Sequence, residues 1–215
     1  KHPKTPGCSI RYAHPLSGEL ENEIYSGIIQ YELHLRYYNQ ALRMCEFPYA
    51  FHTVGSSMAV SSLAYQKQGG MNKRKAGEDF YFIHKIIGLG DFLEINSSRV
   101  IPSPRISDRV PFGTGKAIGD WVDLQTDGAS EYLTYDFKSF LLIKEFVLLI
   151  PKFYKNGLDI HKISKELVKF LIEQGLSEAW NECLKNSTNY EQFEKRFFVW
   201  FGAFKVMKLL HYLRD

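Results

Sequence analysis

Two adjacent carboxylates, Glu78 and Asp79, are the residues best placed to do chemistry in this chain. They follow Gly77 and open an apolar helical pattern from Phe80 to Ile87, closed by Gly88 and Gly90. At a helix start the backbone can aim both side chains into one cleft. One carboxylate within hydrogen-bond reach of a hydroxyl can take its proton as that oxygen attacks, while the other orients the attacking group. The same position also argues against catalysis. A helix N-terminus stabilises a carboxylate by about 0.3–1 kcal/mol and so weakens it as a base. Acidic residues in a first turn are commonly favourable caps and nothing more. Burial, or the charge of the second carboxylate, would offset the weakening.

The stretch before the pair, VGSSMAVSSLAYQKQGGMNKRKAGED from Val54 to Asp79, supplies its surroundings. Gly55, Ser56 and Ser57 open a small-residue strand predicted over 55–60, which leaves room for a sugar and offers it hydroxyls. A short helical segment follows, and Gly69-Gly70 reverses the chain with φ > 0. His52, just ahead of this strand, either faces the sugar site or is a structural histidine. The run Lys73-Arg74-Lys75 either touches phosphate, Arg74 above all, or is a solvated loop. A second candidate stretch is SPRISDRVPFGTGKA, Ser103 to Ala117. Arg105 and Arg109 suit phosphate because a guanidinium matches its oxygens bidentately. Gly113-Thr114-Gly115 could turn backbone N–H groups toward an anion. An arginine-rich surface loop has the same composition. Gly115-Lys116 does not make a Walker P-loop, for it lacks both the glycine before and the hydroxyl after.

The elements that must position these residues are legible from periodicity. Residues 1–17 read as an extended lead-in around a strand from Cys8 to Tyr12. A helix is predicted from Glu19 to Cys45, with Ile24, Ile28, Tyr31, Leu35, Tyr38 and Leu42 as its apolar stripe and Pro48 beyond its end. Two short strands are expected at Phe92–Ile95 and Arg99–Ile101, then an ordered loop over 102–119. Helices are expected over 138–150, where Pro151 stops the run, and over 159–174 on Ile160, Ile163, Leu167 and Leu171. A last helix over 189–213 begins at a capping box of Thr188 and Glu191. The pattern divides the chain into a mixed α/β part, residues 1–120, and a helical part, residues 121–215. There is no internal repeat.

Bulk composition narrows the function classes. Of 215 residues, 27 are basic and 24 acidic, so a net charge of +3 gives no general case for nucleic acid. Cys8, Cys45 and Cys183 are odd in number and have no zinc spacing, which favours a reducing cytosol. The apolar run from Phe140 to Ile150 is too short to span a bilayer. Sixteen Phe and thirteen Tyr imply an aromatic core, with sugar-stacking surfaces as the alternative. The aromatics of residues 193–204 suit helix packing, a dimer face or a docking face.

The arrangement as a whole resembles family 2 glycosyltransferases of the nucleotide-sugar-binding (GT-A) fold. The residues that carry the resemblance are Gly55-Ser56-Ser57-Met58-Ala59, Ala64-Tyr65, Gly69-Gly70, Glu78-Asp79 and Phe80-Tyr81-Phe82-Ile83-His84-Lys85, and SPRISDRVPFGTGKA is similar to the segment that follows the catalytic helix in bacterial members. The resemblance implies a partial GT-A-like sheet with flanking helices plus a C-terminal helical subdomain. It implies inverting transfer from a nucleotide-sugar donor to a hydroxyl acceptor, a glycan or a lipid-linked one, with Asp79 as general base and Glu78 on acceptor hydroxyls. Such enzymes serve bacterial polysaccharide biosynthesis from the cytoplasm, some of them peripheral at the membrane. A divalent metal, Mn or Mg, is expected for the complete enzyme. The Asp-x-Asp motif that would hold it is absent from this chain, as is the donor-binding strand-helix unit. The resemblance covers residues 1–120 and implies a piece that starts after the metal motif and is inactive without its donor half, to which it could dock. Two other readings follow from the same residues: a non-catalytic helical interaction domain with a glycosyltransferase-like shape, and a helical binding protein in which Glu78 and Asp79 only cap a helix.

Overall fold

The computed structural model describes residues 4–71, 77–128 and 131–214. The fold is mixed and helix-rich, with nine α-helices and three strands among the described residues. It forms two compact units, one of Lys1–Asn39 with Phe51–Thr134 and the other of Gln40–Ala50 with Tyr135–Asp215.

The first unit is built on a three-stranded sheet in the order β2-β1-β3. The central strand β1 (Gly7–Tyr12) pairs antiparallel with β2 (Met58–Val60) and parallel with β3 (Leu93–Val100). The two short strands expected at 92–95 and 99–101 are one strand with an irregularity. Ile10 faces Ile95 and the next residue, Arg11, faces Arg99, so residues 96–98 have no opposite number on β1. The predicted strand over 55–60 is shorter than expected. Gly55–Ser57 form a 3-10 turn closed by the Ser57 N–H on the Val54 carbonyl at 2.8 Å, and only Met58–Val60 pair. Gly and Ser fit a pleated surface poorly and readily take a tight turn instead.

Helix α2 (Ser62–Lys67), capped by the Ser61 hydroxyl, and α3 (Glu78–Ile87) pack on this sheet. Ala64, Phe82 and Ile86 form a small core with Met58, Val60, Met71 and Phe92. The approach is close: a Cβ on Gly7 would lie 2.9 Å from Ile86 Cγ2. Gly69 and Gly70 both take positive φ, 69° and 73°, as the predicted reversal requires.

Helix α1 (Asn22–Met44) follows its predicted stripe inward, with Ile28 and Leu42 buried and Ile24, Tyr31, Leu35 and Tyr38 half-buried. The loop expected over 102–119 ends early, because α4 (Thr114–Thr126) begins at the Gly-Thr-Gly stretch. Its missed period lies in Ile118 and Trp121, both buried. Gly27 lets α4 lie against α1, since a Cβ there would be 3.1 Å from Trp121 Cδ1, and the Trp121 indole N–H donates to Ser26 Oγ at 3.2 Å.

The second unit is helical. Helix α5 (Phe137–Asn156) runs through Pro151, where a stop was expected. A proline inside a helix costs about 3 kcal/mol. Phe146, Val147, Ile150 and Phe153 are all buried, and at roughly 1.5–3 kcal/mol each their burial outweighs it. The helix predicted over 159–174 is a 3-10 turn, Ile160–Lys162, followed by α6 (Lys165–Glu173). Helix α7 (Leu176–Lys185) was not foreseen, although Leu176, Ala179, Trp180 and Cys183 carry a helical period and are buried. The last predicted helix is two, α8 (Tyr190–Trp200) and α9 (Ala203–Arg214), separated at Phe201-Gly202. The α8 cap lies one residue beyond the predicted one: Asn189 Oδ1 accepts from the Gln192 N–H at 3.0 Å, and Gln192 Oε1 accepts from the Thr188 N–H at 3.2 Å.

Candidate active site

The start of α3 is shaped by two glycines. Gly77 precedes the helix in the left-handed region, φ 71° and ψ 13°, and no side chain caps the helix. A Cβ on Gly77 would sit 3.1 Å from Phe112 Cε2, so the aromatic ring of the 102–113 segment lies directly on this turn. Gly55 lies against Asp79 itself. A Cβ there would be 2.5 Å from Oδ2 and 3.0 Å from Asp79 Cβ, so the carboxylate occupies the space that any other residue at 55 would fill. The 3-10 turn and the helix start, 24 positions apart in sequence, thus meet at one carboxylate.

The electrostatics of Asp79 settle the contest between helix terminus and burial. Its Oδ1 accepts the Phe80 N–H at 2.7 Å. Burial pushes the carboxyl above the ordinary aspartate value and the charge of Glu78 adds to this, while the N–H groups of Phe80, Gly55 and Asp79 pull it down without prevailing. A raised pKa makes the group a stronger base than a free aspartate. Glu78 is half-exposed beside it.

Tyr31 belongs to the same neighbourhood. Burial pushes its phenol up, with the charges of Tyr132, Tyr12 and Asp79 adding to the effect. Its ring stacks on His34 at 6.4 Å, His34 lies 5.8 Å from the Tyr132 ring, and Tyr132 lies 6.1 Å from Trp121. The His34 Nδ1 is hydrogen-bonded to Thr134 Oγ1 at 2.7 Å. Tyr31 and His34 of α1 thus belong to a run of rings with Tyr132 and Trp121, and the charge of Asp79 reaches Tyr31. The sequence marked Tyr31 only as part of an apolar stripe, because a phenol at a stripe position has the same period whether it packs or binds. Phe112 was missed for a related reason: nothing local in a Pro- and Gly-rich segment says which side chain turns inward.

The other candidates are distributed as follows. Ser56 is exposed, and Ser57 is buried with no hydrogen-bond partner for its Oγ among the described residues. His52 leans edge-on against Tyr12, ring centroids 5.2 Å apart, with its Nδ1 3.5 Å from the Tyr12 hydroxyl. Tyr12 is itself held by Arg36, whose guanidinium also binds Glu32, and Glu32 in turn accepts from the His14 backbone and ring. Burial lifts the Tyr12 hydroxyl to about 12 against the pull of Arg36. His52 thus has a structural neighbour on β1. Arg105 and Arg109 are exposed, and neither is ion-paired among the described residues. Gly113 and Thr114 form the N-terminus of α4, where a Cβ on Gly115 would meet Ser107 Cβ at 2.6 Å. Arg74 lies outside the described residues.

Among the described residues no three His, Cys, Asp or Glu side chains come together as a metal-binding group. At the α3 start, Asp79 has Oδ1 on a backbone N–H and Oδ2 against Gly55, so the residues present do not fit a divalent-metal site. No helix among the described residues is long and apolar enough to cross a membrane. Comparison with protein-family models, with curated protein sequences and with solved structures finds no match to the chain.

Proposed function

We propose that the chain is the acceptor-side portion of an inverting glycosyltransferase similar to family 2, with Asp79 as its general base. The observation that carries this reading is the contact of Asp79 with Gly55: a carboxylate half-buried against a small-residue turn, with its basicity raised by burial and by Glu78. In the reaction, a carboxylate oxygen of Asp79 takes the proton of the acceptor hydroxyl. The acceptor oxygen bonds to the anomeric carbon from the face opposite the leaving group. The bond from that carbon to the nucleotide diphosphate breaks, and the diphosphate departs. Glu78, one residue away and half-exposed, hydrogen-bonds acceptor hydroxyls, and Tyr31 offers a ring for a sugar to stack on. Arg105, Arg109 and the Gly113-Thr114 helix start are the groups suited to the diphosphate, with Arg74 a further candidate from the sequence. Donor binding and any divalent metal belong, in this proposal, to a donor-binding half whose motifs this sequence does not contain. The sheet with α2 and α3 is the GT-A-like portion.

An acceptor-side portion binds its acceptor without the donor. A glycan array probed with the labelled chain is expected to show binding to a restricted set of glycans that Asp79→Asn and Tyr31→Ala each weaken. A chain that binds no glycan, or binds equally well after both substitutions, defeats the reading. The helical interaction domain would then be favoured, with Phe197 or Trp200 rather than Asp79 sensitive to substitution.

A further inference from the structure

The transfer reaction as described leaves Phe112 without a part. Its ring is 55% exposed, and an exposed ring by itself says little, because apolar atoms make up much of any protein surface. Its place is what sets it apart. A Cβ on Gly77 would stand 3.1 Å from both Cε2 and Cζ of the ring, and Gly77 directly precedes Glu78 and Asp79. Gly77 also takes φ 71°, so the backbone and the ring both disfavour a side chain there.

The segment that presents the ring is stiff. Pro111 fixes the backbone just before Phe112. Gly113, just after it, takes φ 104° and turns the chain straight into α4. At the base of this loop a Cβ on Gly115 would stand 2.6 Å from Ser107 Cβ and 2.8 Å from the Ser107 nitrogen, so the loop closes tightly on itself. A ring held in place beforehand loses little freedom when a ligand covers it. An open ring laid on glycine backbone beside two carboxylates matches a pyranose: the C–H face of the sugar covers the ring, and hydroxyls at its edge meet the carboxylates. Tyr31, by contrast, is half-buried and stacked on His34.

We propose that Phe112 is the stacking platform for the acceptor, and that the acceptor hydroxyl belongs to a pyranose ring. The inference rests on the reading of Asp79 as base. The sugar lies with its C–H face on Phe112 and turns one hydroxyl to Glu78 and Asp79. Furanosides and acyclic polyols offer no C–H face of that size, so Phe112 sets the class of acceptor.

The experiment is a glycan array carrying pyranosides, furanosides and acyclic polyols, probed with the labelled wild-type chain and with Phe112→Ala, Phe112→Leu, Phe112→Trp and Asp79→Asn. The bound set should consist of pyranosides. Phe112→Ala should weaken binding about tenfold. Phe112→Leu, which keeps apolar area without a ring, should weaken it as well, and Phe112→Trp should retain it. All three should melt with wild type, since more than half of the ring is exposed. Titration with a bound pyranoside should shift the fluorescence of the Phe112→Trp variant more than that of wild type, which a packing role would not do. Unchanged binding by Phe112→Ala, with loss in Asp79→Asn, overturns the platform and leaves the reading of Asp79 standing. Wild-type binding by Phe112→Leu, furanosides or polyols bound as tightly as pyranosides, or a folded Phe112→Trp variant that binds no better than Phe112→Ala would each overturn it too. An array with no bound glycan defeats both.

Discussion

In the unit formed by residues 40–50 and 135–215, the largest fully buried side chains are Trp180, Phe140, Phe146, Phe193, Phe197 and Phe201. In the unit that holds the carboxylate pair they are Tyr12 and the aliphatics Ile28, Ile83, Ile86 and Ile118. The aromatic unit packs ring on ring: Phe197 lies within 5.2 Å of Trp180 and 5.8 Å of Phe193, edge-on to the first and stacked on the second. The carboxyl and imidazole groups held away from their ordinary state lie in the other unit, whereas the shifted groups of the aromatic unit are thiols, phenols and Lys205. Asp79 is pushed up, His84 is pushed down to about 4 by burial, and Glu32 is held low. Glycines there admit the Asp79 carboxylate at Gly55 and also rings, Phe112 at Gly77 and Trp121 at Gly27. The difference is one of what fills the interior: one unit is packed with rings, and the other holds carboxyl and imidazole groups among aliphatic side chains.

The comparison breaks most readily at Phe197. Phe197→Ala removes a fully buried ring from the aromatic core and should cost about 3–5 kcal/mol. The loss should appear in the fluorescence of Trp180 and Trp200, with hydrogen exchange at β1 and α3 protected to higher denaturant. Simultaneous loss in both units would mean that they do not differ in the way described. Gly55→Ala acts in the other unit. Its Cβ would meet Asp79 Oδ2 at 2.5 Å, so overpacking should cost about 1–3 kcal/mol and shift Asp79 from its place. Glycan binding should fall with it, and retained binding would remove the reason for a glycine there.

Acidification gives a smaller and graded effect. His84 stays neutral in the fold down to about 4, whereas in the unfolded chain it takes a proton near 6.5. Stability from this group is complete above the higher value and is lost as pH falls from 6.5 to about 4. Burial likewise depresses His34 and adds in the same direction. Glu32 follows at lower pH. Burial raises its carboxyl, but the His14 backbone, Arg36 and the His14 ring together hold it below the glutamate range, so its contribution disappears as that low value is crossed. The melting temperature of the first unit should therefore drop by several degrees across this window, and His84→Phe, which keeps the edge contact with Phe80, should flatten its upper part. A profile identical to wild type in the variant would rule His84 out as the cause.

These elements were unequally legible in sequence. The α1 stripe, the β1 strand and the paired ends of β3 follow from short-range periodicity, which local physics sets. The three residues of β3 without partners on β1 do not, since they depend on where β1 places its register. Pro151 is a true local stop signal that a buried face on both sides overrides, and Gly202 is a true break whose weight a long aromatic period concealed. At the candidate site the carboxylates and Gly55 could be read from residue type and order. Their contact, the ring of Phe112 over Gly77 and the nearness of Tyr31 arise from chain reversals that no local pattern encodes.

The most direct test of Asp79 as base is sugar transfer itself, measured with the donor-binding half supplied to the chain. Because burial raises the Asp79 carboxyl, its ionisation opposes folding at neutral pH, and Asp79→Asn should leave the melting temperature unchanged or slightly higher. The account predicts that this folded variant transfers sugar about 10²–10⁴-fold more slowly than wild type. Transfer at the wild-type rate by Asp79→Asn would contradict it.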